Sequence, residues 1–282
     1  MFTPFAFVKQ PFQINPIATA WATSINFQNF NVIVGVSNLI DTLQLAGIWN
    51  KMIAVYPMIT DQLSSADRKT QFVKNLVNPA THTATYLNNA SVGTLSGWQN
   101  AGSDTFITIT PATIGNNYVV GFYTNSDAAS TDQIDMGVYD PSAPDDGFLY
   151  CVAGRNKVGA NAQIIMQASE TSQPYNVTGT GPFTGLFGVG GNSTTGFAYR
   201  RTSQLGTAAS YDNAKRGNTK KIGLGSFLQD NGGAISPTTK TYQFAFMSTF
   251  LDTTEFSTLA TAVNDLQGVV DSTYSTSRKA YT

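Results

Sequence analysis

The stretch TFITITPATIGNNYVVGFYTNSDAASTDQIDMGVY, residues 105–139, carries the clearest secondary-structure pattern in the chain. Two runs rich in β-branched and aromatic residues, Thr105–Ile109 and Tyr118–Tyr123, are separated by turn residues at Gly115–Asn117. A third run, Gln133–Tyr139, alternates between polar and apolar side chains. Alternation with a period of two, bounded by Gly, Asn, Asp and Ser, indicates half-buried antiparallel strands. The sequence therefore predicts a sheet in this region.

The same alternation and turn punctuation continue on both sides of this stretch. Further strands are predicted at 148–153, 162–167, 185–189, 196–201, 221–227 and 242–247, with weaker candidates at 71–76 and 84–87. In the 242–247 strand, Tyr242, Phe244 and Phe246 are expected to share one face. Many short strands with a turn about every ten residues are typical of a two-sheet antiparallel sandwich of the jelly-roll kind.

Segments with helical periodicity precede and follow the predicted strands. Apolar residues recur every three or four positions from Asn31 to Ala46, and Gly47 supplies a stop. The segment Ile48–Tyr56 resembles a second short helical turn. Near the other end, Asp252 and Glu255 form a capping-box pattern at the start of an amphipathic helix. We therefore predict a mainly β fold with an N-terminal amphipathic helix and a C-terminal helix.

These patterns divide the chain into five segments. An extended aromatic arm (1–30) precedes a helical segment packed on the sandwich (31–60), the sandwich itself (61–251), a C-terminal helix (252–270) and a polar tail (271–282). The arm cannot cover its own apolar groups, so we expect it to lie on the rest of this chain or on a neighbouring subunit. Its candidate contact residues are the aromatic ones: Phe2, Phe5, Phe7, Phe12, Trp21, Phe27 and Phe30.

The composition narrows the function classes. Charged residues make up 12% of the chain, about half the usual share of roughly 25%. The net charge of -1 argues against a nucleic-acid or anionic-membrane binder, for which a positive balance is expected. No apolar run approaches the roughly 20 residues of a membrane span. The first residues lack the pattern of a secretion signal. The single cysteine, Cys151, lies in an apolar run and is interpreted as a small buried residue.

Several segments together resemble a group of bacteriophage virion proteins that carry a concanavalin A-like (laminin-G-like) jelly roll. The resemblance covers roughly Asn31 to Val270. It implies that fold, a location in the virion, and a role as a capsid decoration, head fibre or tail-appendage module. The segments that carry it are Leu45-Ala46-Gly47-Ile48-Trp49-Asn50-Lys51-Met52, Tyr56-Pro57, Gln133-Ile134-Asp135-Met136-Gly137, Phe244-Ala245-Phe246-Met247 and Leu251-Asp252-Thr253-Thr254-Glu255.

Catalytic patterns are weak. Retaining glycosidases need two carboxylates about 5–5.5 Å apart, yet the chain has only two glutamates, Glu170 and Glu255, and the second belongs to the helix cap. The strand that would carry the glycosidase pattern instead offers Gln133, Asp135 and Val138. The single histidine, His82, has no nucleophile or orienting acid signalled nearby. We predict a non-enzymatic protein without a cofactor.

Three binding patterns remain. Polar and aromatic side chains at Gln133, Asp135, Tyr139 and Tyr123 form a candidate glycan-binding face. An acidic loop could hold calcium through Asp140, Asp145 and Asp146, although an ordinary Asp-Pro-Gly turn explains the same residues. A basic cluster could meet an acidic partner subunit or a phosphate-bearing glycan, or form a solvated loop. Its members are Arg200-Arg201, Lys215-Arg216 and Lys220-Lys221.

Two hypotheses follow. The first is a structural protein on the exterior of a virion, held to other virion proteins and to copies of itself by buried apolar surface. Low charge density favours such packing, because each buried unpaired ion costs several kcal/mol. The second is a lectin-like adsorption module that binds host-surface polysaccharide.

Overall fold

The structure is a computed structural model. It describes residues 13–62, 64–87, 97–99, 105–107, 117–126, 135–139, 148–156, 162–167, 175–179, 184–192, 195–206, 209–210, 222–229, 234–235 and 240–274.

The helices begin at capping residues that the sequence provides. Asn15, Asn29 and Ser64 each accept a hydrogen bond from a backbone N–H in the first turn of a helix, which satisfies one of the donors that a helix start leaves open. None of the helices in the described ranges is both long and apolar enough to cross a membrane. The helices are α1 (Pro16–Ser24), α2 (Phe30–Leu45), α3 (Ser65–Phe72) and α4 (Thr253–Tyr274), with a short 3₁₀ turn at Trp49–Lys51.

Within the described ranges, the first sheet has seven strands, all paired antiparallel. Its order is β1-β18-β5-β10-β11-β12, and β13 also pairs with β11. The strands are β1 (Met52–Tyr56), β5 (Asn117–Thr124), β10 (Gly185–Asn192), β11 (Thr195–Arg200), β12 (Ser203–Gln204), β13 (Ala209–Ser210) and β18 (Phe244–Thr249).

Among the residues that the structure describes, the second sheet has nine strands, antiparallel except for the pairing of β15 with β6. Its order is β2-β4-β14-β6-β7-β8-β9, with β15 on β6 and β16 on β15. The strands are β2 (Thr85–Leu87), β4 (Thr105–Ile107), β6 (Met136–Tyr139), β7 (Phe148–Asn156), β8 (Ala162–Gln167), β9 (Tyr175–Gly179), β14 (Gly223–Leu224), β15 (Phe227–Gln229) and β16 (Ala234–Ile235). A separate pair is formed by β3 (Trp98–Gln99) and β17 (Thr241–Tyr242). The mainly β, antiparallel architecture with a C-terminal helix is therefore confirmed.

The central strands of the first sheet, β5, β10 and β18, are buried on both faces over most of their length, whereas the sequence predicted half-buried strands. In β5, Val119 and Tyr123 join the apolar cluster that contains α1, α2 and α4. Val120 and Phe122 join the cluster that faces the second sheet. Since side chains alternate across a strand, the molecule has three layers in the order helices, first sheet, second sheet. The sequence predicted that the helical segment 31–60 packs on the sandwich, but it did not show that α1 and α4 cover the same face.

Two opposed glycines let the helix layer approach the first sheet. Gly121 of β5 pairs directly with Gly188 of β10. A Cβ atom built on Gly188 would lie 2.5 Å from Cε2 of Phe256, and one on Gly121 would lie 2.6 Å from Cε1 of Phe246. The hollow above this glycine pair is therefore filled by the two phenylalanine rings.

The N-terminal segment differs from the predicted extended arm. Residues 16–24 form α1, and Trp21 and Phe27 are buried with their ring centroids 5.5 Å apart. These two side chains therefore belong to the core of this chain, whereas Phe30 is 61% exposed. The other predicted arm residues, Phe2, Phe5, Phe7 and Phe12, lie outside the described residues.

Three further predictions were wrong in detail. The segment after α2 is a 3₁₀ turn followed by strand β1, because Met52–Tyr56 pairs with β18 at the edge of the first sheet. The weak strand candidate 71–76 is the end of α3 and the loop after it. The ring of Tyr242 lies between the sheets and those of Phe244 and Phe246 lie under the helices. An interruption at Gln243, between β17 and β18, separates these faces.

Candidate functional site

The predicted glycan-binding residues do not form one exposed face. Asp135 is 1% exposed and precedes β6 of the second sheet. Tyr123 is 2% exposed and lies on β5 of the first sheet, on the face toward the helices. Tyr139 ends β6, and Gln133 lies outside the described residues. The expectation of a solvated polar surface is therefore wrong for Asp135 and Tyr123, because each is covered by a neighbouring layer.

Asp135 forms a buried polar cluster instead. Its Oδ2 accepts a hydrogen bond from Lys240 Nζ at 2.9 Å, and its Oδ1 accepts one from Tyr242 Oη at 2.7 Å. Its backbone oxygen accepts from the N–H of Gly225 at 2.6 Å. The Tyr242 ring stacks on Trp98 with centroids 5.5 Å apart. A buried charge pair with these supporting contacts holds β6, β14 and β17 in register, so we assign the cluster a structural role.

Two of the other candidate residues from the sequence, His82 and Cys151, lie in the described part of the chain. Tyr56 Oη donates to the backbone oxygen of His82 at 2.7 Å, a contact that does not involve the imidazole ring. Cys151 lies within β7, opposite Gln167 of β8. The predicted calcium ligands Asp140, Asp145 and Asp146 lie outside the described residues. Within the described ranges, no group of three or more His, Cys, Asp or Glu side chains is placed to hold a metal ion.

A cleft of about 400 Å³ opens between the first sheet and α4. We call it the Arg201 cleft. It lies where the start of β10, the turn after β11 and the middle of α4 come together. The described residues that line it are Tyr123, Gly185, Leu186, Arg201, Thr202, Ala260, Thr261 and Asn264.

Tyr123 and Asn264 place polar atoms at the base of the cleft. Tyr123 lies on the helix-facing side of β5, so its hydroxyl extends toward α4. Its Oη donates to Oδ1 of Asn264 at 3.5 Å. Asn264 is half-buried among apolar neighbours of the same helix. The pair brings a hydroxyl and a carboxamide into one cleft from segments 141 residues apart.

Arg201 brings a positive charge to the cleft from a constrained turn. Its φ is 57°, a left-handed conformation that is uncommon for residues other than glycine. Its backbone N–H donates to the oxygen of Leu186 at 2.6 Å. Its Nε donates to the backbone oxygen of Thr184 at 3.2 Å. Gly185 accommodates the side chain, since a Cβ there would lie 2.8 Å from Cγ of Arg201. These contacts fix the guanidinium before any ligand arrives.

The described lining of the cleft combines polar groups with apolar surface. The described lining residues include no carboxylate, histidine or cysteine, the side chains that most often act as acid, base or nucleophile. A guanidinium, an amide and several hydroxyls lie beside the apolar Leu186 and Ala260. A few convergent polar groups on an apolar floor are typical of small-molecule sites.

Sequence reasoning found part of this site. Tyr123 was a predicted glycan-binding residue, and Arg201 belonged to the predicted basic cluster. Asn264 was missed because it follows the apolar positions of an amphipathic helix, where a polar residue is ordinarily solvated.

The chain matches no protein-family model and no curated protein sequence. Its fold is similar to domain 4 of AbnA, a GH43 extracellular arabinanase from Geobacillus stearothermophilus, solved in complex with arabinotriose. The two are 14% identical, the match covers 74% of this chain and 98% of that domain, and the TM-score is 0.50.

Two sialidase structures from Trypanosoma rangeli are also similar. A mutant displaying trans-sialidase activity is 12% identical, with 82% of this chain and 39% of the sialidase covered and a TM-score of 0.54. The sialidase in complex with the inhibitor DANA is 10% identical, with 74% and 32% covered and a TM-score of 0.51. This chain therefore spans about two fifths or less of these sialidases. At such identities the likeness concerns the fold alone.

Proposed function

We propose that this chain is a non-enzymatic structural component of the exterior of a bacteriophage virion, held in place by subunit–subunit packing. The observation that carries the proposal is a direct contact between two of the sequence segments that resemble virion proteins. Lys51 Nζ lies 2.5 Å from Glu255 Oε1 and 3.4 Å from the backbone oxygen of Phe250. The segment Leu45–Met52 and the segment Leu251–Glu255 are therefore in direct contact through Lys51 and Glu255.

The proposal also includes a specific fold family. We assign the two sheets to a concanavalin A-like jelly roll. Two large, mainly antiparallel sheets with an apolar layer between them support this assignment.

Apolar surface supplies the proposed means of attachment. Phe30 is 61% exposed and Leu45 is 92% exposed, at opposite ends of α2. Upstream, the sequence adds Phe2, Phe5, Phe7 and Phe12. Contact with other virion proteins, including copies of this chain, would bury such groups. The proposal requires no cofactor.

Deletion of residues 1–12 tests this role. The cut leaves α1 and the buried Trp21 intact, so the truncated chain is expected to fold with an unchanged thermal midpoint. We expect it to be absent from purified particles in a complementation assay. A matched full-length variant, Phe30→Ser, separates the contribution of α2 from that of the first twelve residues. Normal incorporation of the truncated chain would contradict the proposed mode of attachment.

The Arg201 cleft favours a second function, lectin-like binding of host-surface polysaccharide. The likeness to an arabinanase domain solved with arabinotriose, which extends over 98% of that domain, supports this proposal. Hydroxyl and amide groups beside apolar surface match the chemistry of a sugar ring.

A glycan array on the full chain tests the second function. We expect Asn264→Ala to weaken binding, whereas Asn38→Ala, the same change on the exposed face of α2, should leave it unchanged. An array without specific binding would exclude this function and leave the structural role standing.

A further inference from the structure

A lysine and an aspartate are in direct contact in the interior of the protein. Nζ of Lys240 lies 2.9 Å from Oδ2 of Asp135, and both side chains are buried. An amine and a carboxyl group are the two halves of an amide, and a lysine amine that is shielded from water can act as a nucleophile. The pair therefore brings together the two groups that a covalent link between side chains requires.

The segments that carry these side chains are both anchored. The backbone oxygen of Asp135 accepts a hydrogen bond from the N–H of Gly225 at 2.6 Å. The backbone oxygen of Thr241, next to Lys240, accepts one from Oγ1 of Thr124 at 2.6 Å. Groups that are held in contact react as if at a high concentration, because little freedom of motion remains to be lost on the way to the transition state.

Tyr242 places a hydroxyl on the second oxygen of the carboxyl group. Its Oη donates to Oδ1 of Asp135 at 2.7 Å, and its ring is held by stacking on Trp98. Attack of an amine on the carboxyl carbon moves negative charge onto Oδ1. A hydrogen-bond donor that is already in place stabilises such a developing charge, most strongly where water is excluded.

We propose that Lys240 and Asp135 condense slowly in the folded chain to an isopeptide bond between Nζ and Cγ. One proton passes from the ammonium group to Oδ2, which leaves a neutral amine and a carboxylic acid. The Nζ lone pair forms the bond to Cγ while the electron pair of the C=O bond moves to Oδ1. Oδ2 then takes a second proton from the nitrogen and leaves as water, and the C=O bond forms again.

The product suits a buried site better than the ion pair does. Condensation removes two opposite charges from the interior, and with them the cost of keeping both away from water. The bond would join residues 105 positions apart in the chain. A chain with a single cysteine cannot form such a link through an internal disulfide. A covalent closure of this length stabilises the folded state because it restricts the unfolded chain.

Intact mass spectrometry of the full chain tests the proposal. We expect the folded chain to lose the mass of one water molecule over the weeks after purification, whereas a sample kept unfolded in urea retains its full mass. Trypsin cleaves after unmodified lysine, so cleavage after Lys240 should disappear in step with the mass, and the Lys240 peptide should be recovered joined to the Asp135 peptide. Cleavage after Lys51 should persist, because the pair of Lys51 with Glu255 is partly exposed to water.

Variants identify the groups that react. Asp135→Asn should lose one ammonia molecule in place of water, because the carboxamide nitrogen becomes the leaving group. Lys240→Arg keeps a positive charge but has no amine, so its mass should not change. Tyr242→Phe should slow the mass loss about a hundredfold, so that none is seen in the same time. Lys51→Arg, the matched change in the exposed pair, should leave the rate unchanged.

A folded wild-type chain that keeps its full mass, with cleavage after Lys240 intact, would overturn the proposal. Mass loss with a different pair of residues joined, or mass loss that persists in Lys240→Arg, would overturn it as well. The peptide map of the wild-type chain decides the question even where a variant fails to fold.

Discussion

Lys240 Nζ lies 2.9 Å from Asp135 Oδ2 between the two sheets, and the side chains are 4% and 2% exposed. The removal of Lys240 would take away a charged partner of the buried Asp135 carboxylate. We therefore expect Lys240→Met to lower the free energy of unfolding by about 3–5 kcal/mol.

Urea denaturation checks this value. The double variant Asp135→Asn with Lys240→Met removes both charges and should recover most of the loss. A cost below about 0.5 kcal/mol for the single variant, the range of ordinary surface changes, would show that the pair does not hold β6, β14 and β17 in register.

Gly188 makes room for the ring of Phe256 above the first sheet. Because a Cβ at residue 188 would lie 2.5 Å from Cε2 of that ring, Gly188→Ala should destabilise the protein by about 1–3 kcal/mol. The double variant Gly188→Ala with Phe256→Leu reduces the clash and should be less destabilised than the two single losses added together. Thermal unfolding of all three variants provides the measurement, and strict additivity would refute the proposed packing.

Asn75 completes the hydrogen bonding at the edge of β1. Its Oδ1 accepts from the N–H of Val55 at 2.9 Å and from that of Val77 at 3.0 Å. Asn75 is wholly buried, so Asn75→Ala leaves buried donors without their acceptor, at about 1–3 kcal/mol for each unsatisfied group.

The Val55 amide should exchange its hydrogen faster in this variant, and the fall in its free energy of exchange should equal the loss of stability. Asn78→Ala is the matched control, since Asn78 also accepts from a backbone N–H, that of Ala80, but is exposed. Equal effects of the two alanine substitutions would contradict the role of burial.

The start of α4 has a helix cap at Asp252 and an ion pair between Lys51 and Glu255. We expect the cap to contribute more to the free energy of unfolding than the ion pair. Asp252 Oδ1 accepts from the N–H of Glu255 at 2.9 Å, and Glu255 Oε2 accepts from the N–H of Asp252 at 3.0 Å. We expect Asp252→Ala to cost about 1 kcal/mol. Lys51→Met should cost no more than about 1 kcal/mol, because the Lys51 side chain is 36% exposed and solvent screens its pairing with Glu255. The denaturant midpoints of the two variants measure these losses of stability. A larger loss of stability for Lys51→Met than for Asp252→Ala would contradict the prediction that the cap contributes more than the ion pair.

Local patterns predicted some elements, including the capped helix α4, and missed others, including the capped helix α1. The capping box at Asp252 and the strand at Tyr118–Tyr123 were readable from neighbouring residues, and both were confirmed. The helix α1 was missed, although Asn15 followed by Pro16 is a recognised helix start. The aromatic residues of this segment show no clear helical periodicity, so the sequence pattern did not indicate a helix there.

The candidate site depended even more on tertiary structure. Asp135 alternates with apolar residues in the sequence, which predicted an exposed position. Its partner Lys240 lies 105 residues away and makes burial possible. In the same way, Arg201 and Asn264 share a cleft only because α4 packs across the first sheet. No spacing within either segment signals that contact.

The central claim is that the chain belongs to the outside of a virus particle. Imaging of purified intact particles with a gold-labelled antibody against this chain tests it most directly. We expect gold at regular positions on the particle exterior. We expect no gold on particles assembled with the chain that lacks residues 1–12. Intact particles without label, with the chain recovered only from the soluble fraction of the same lysate, would contradict it.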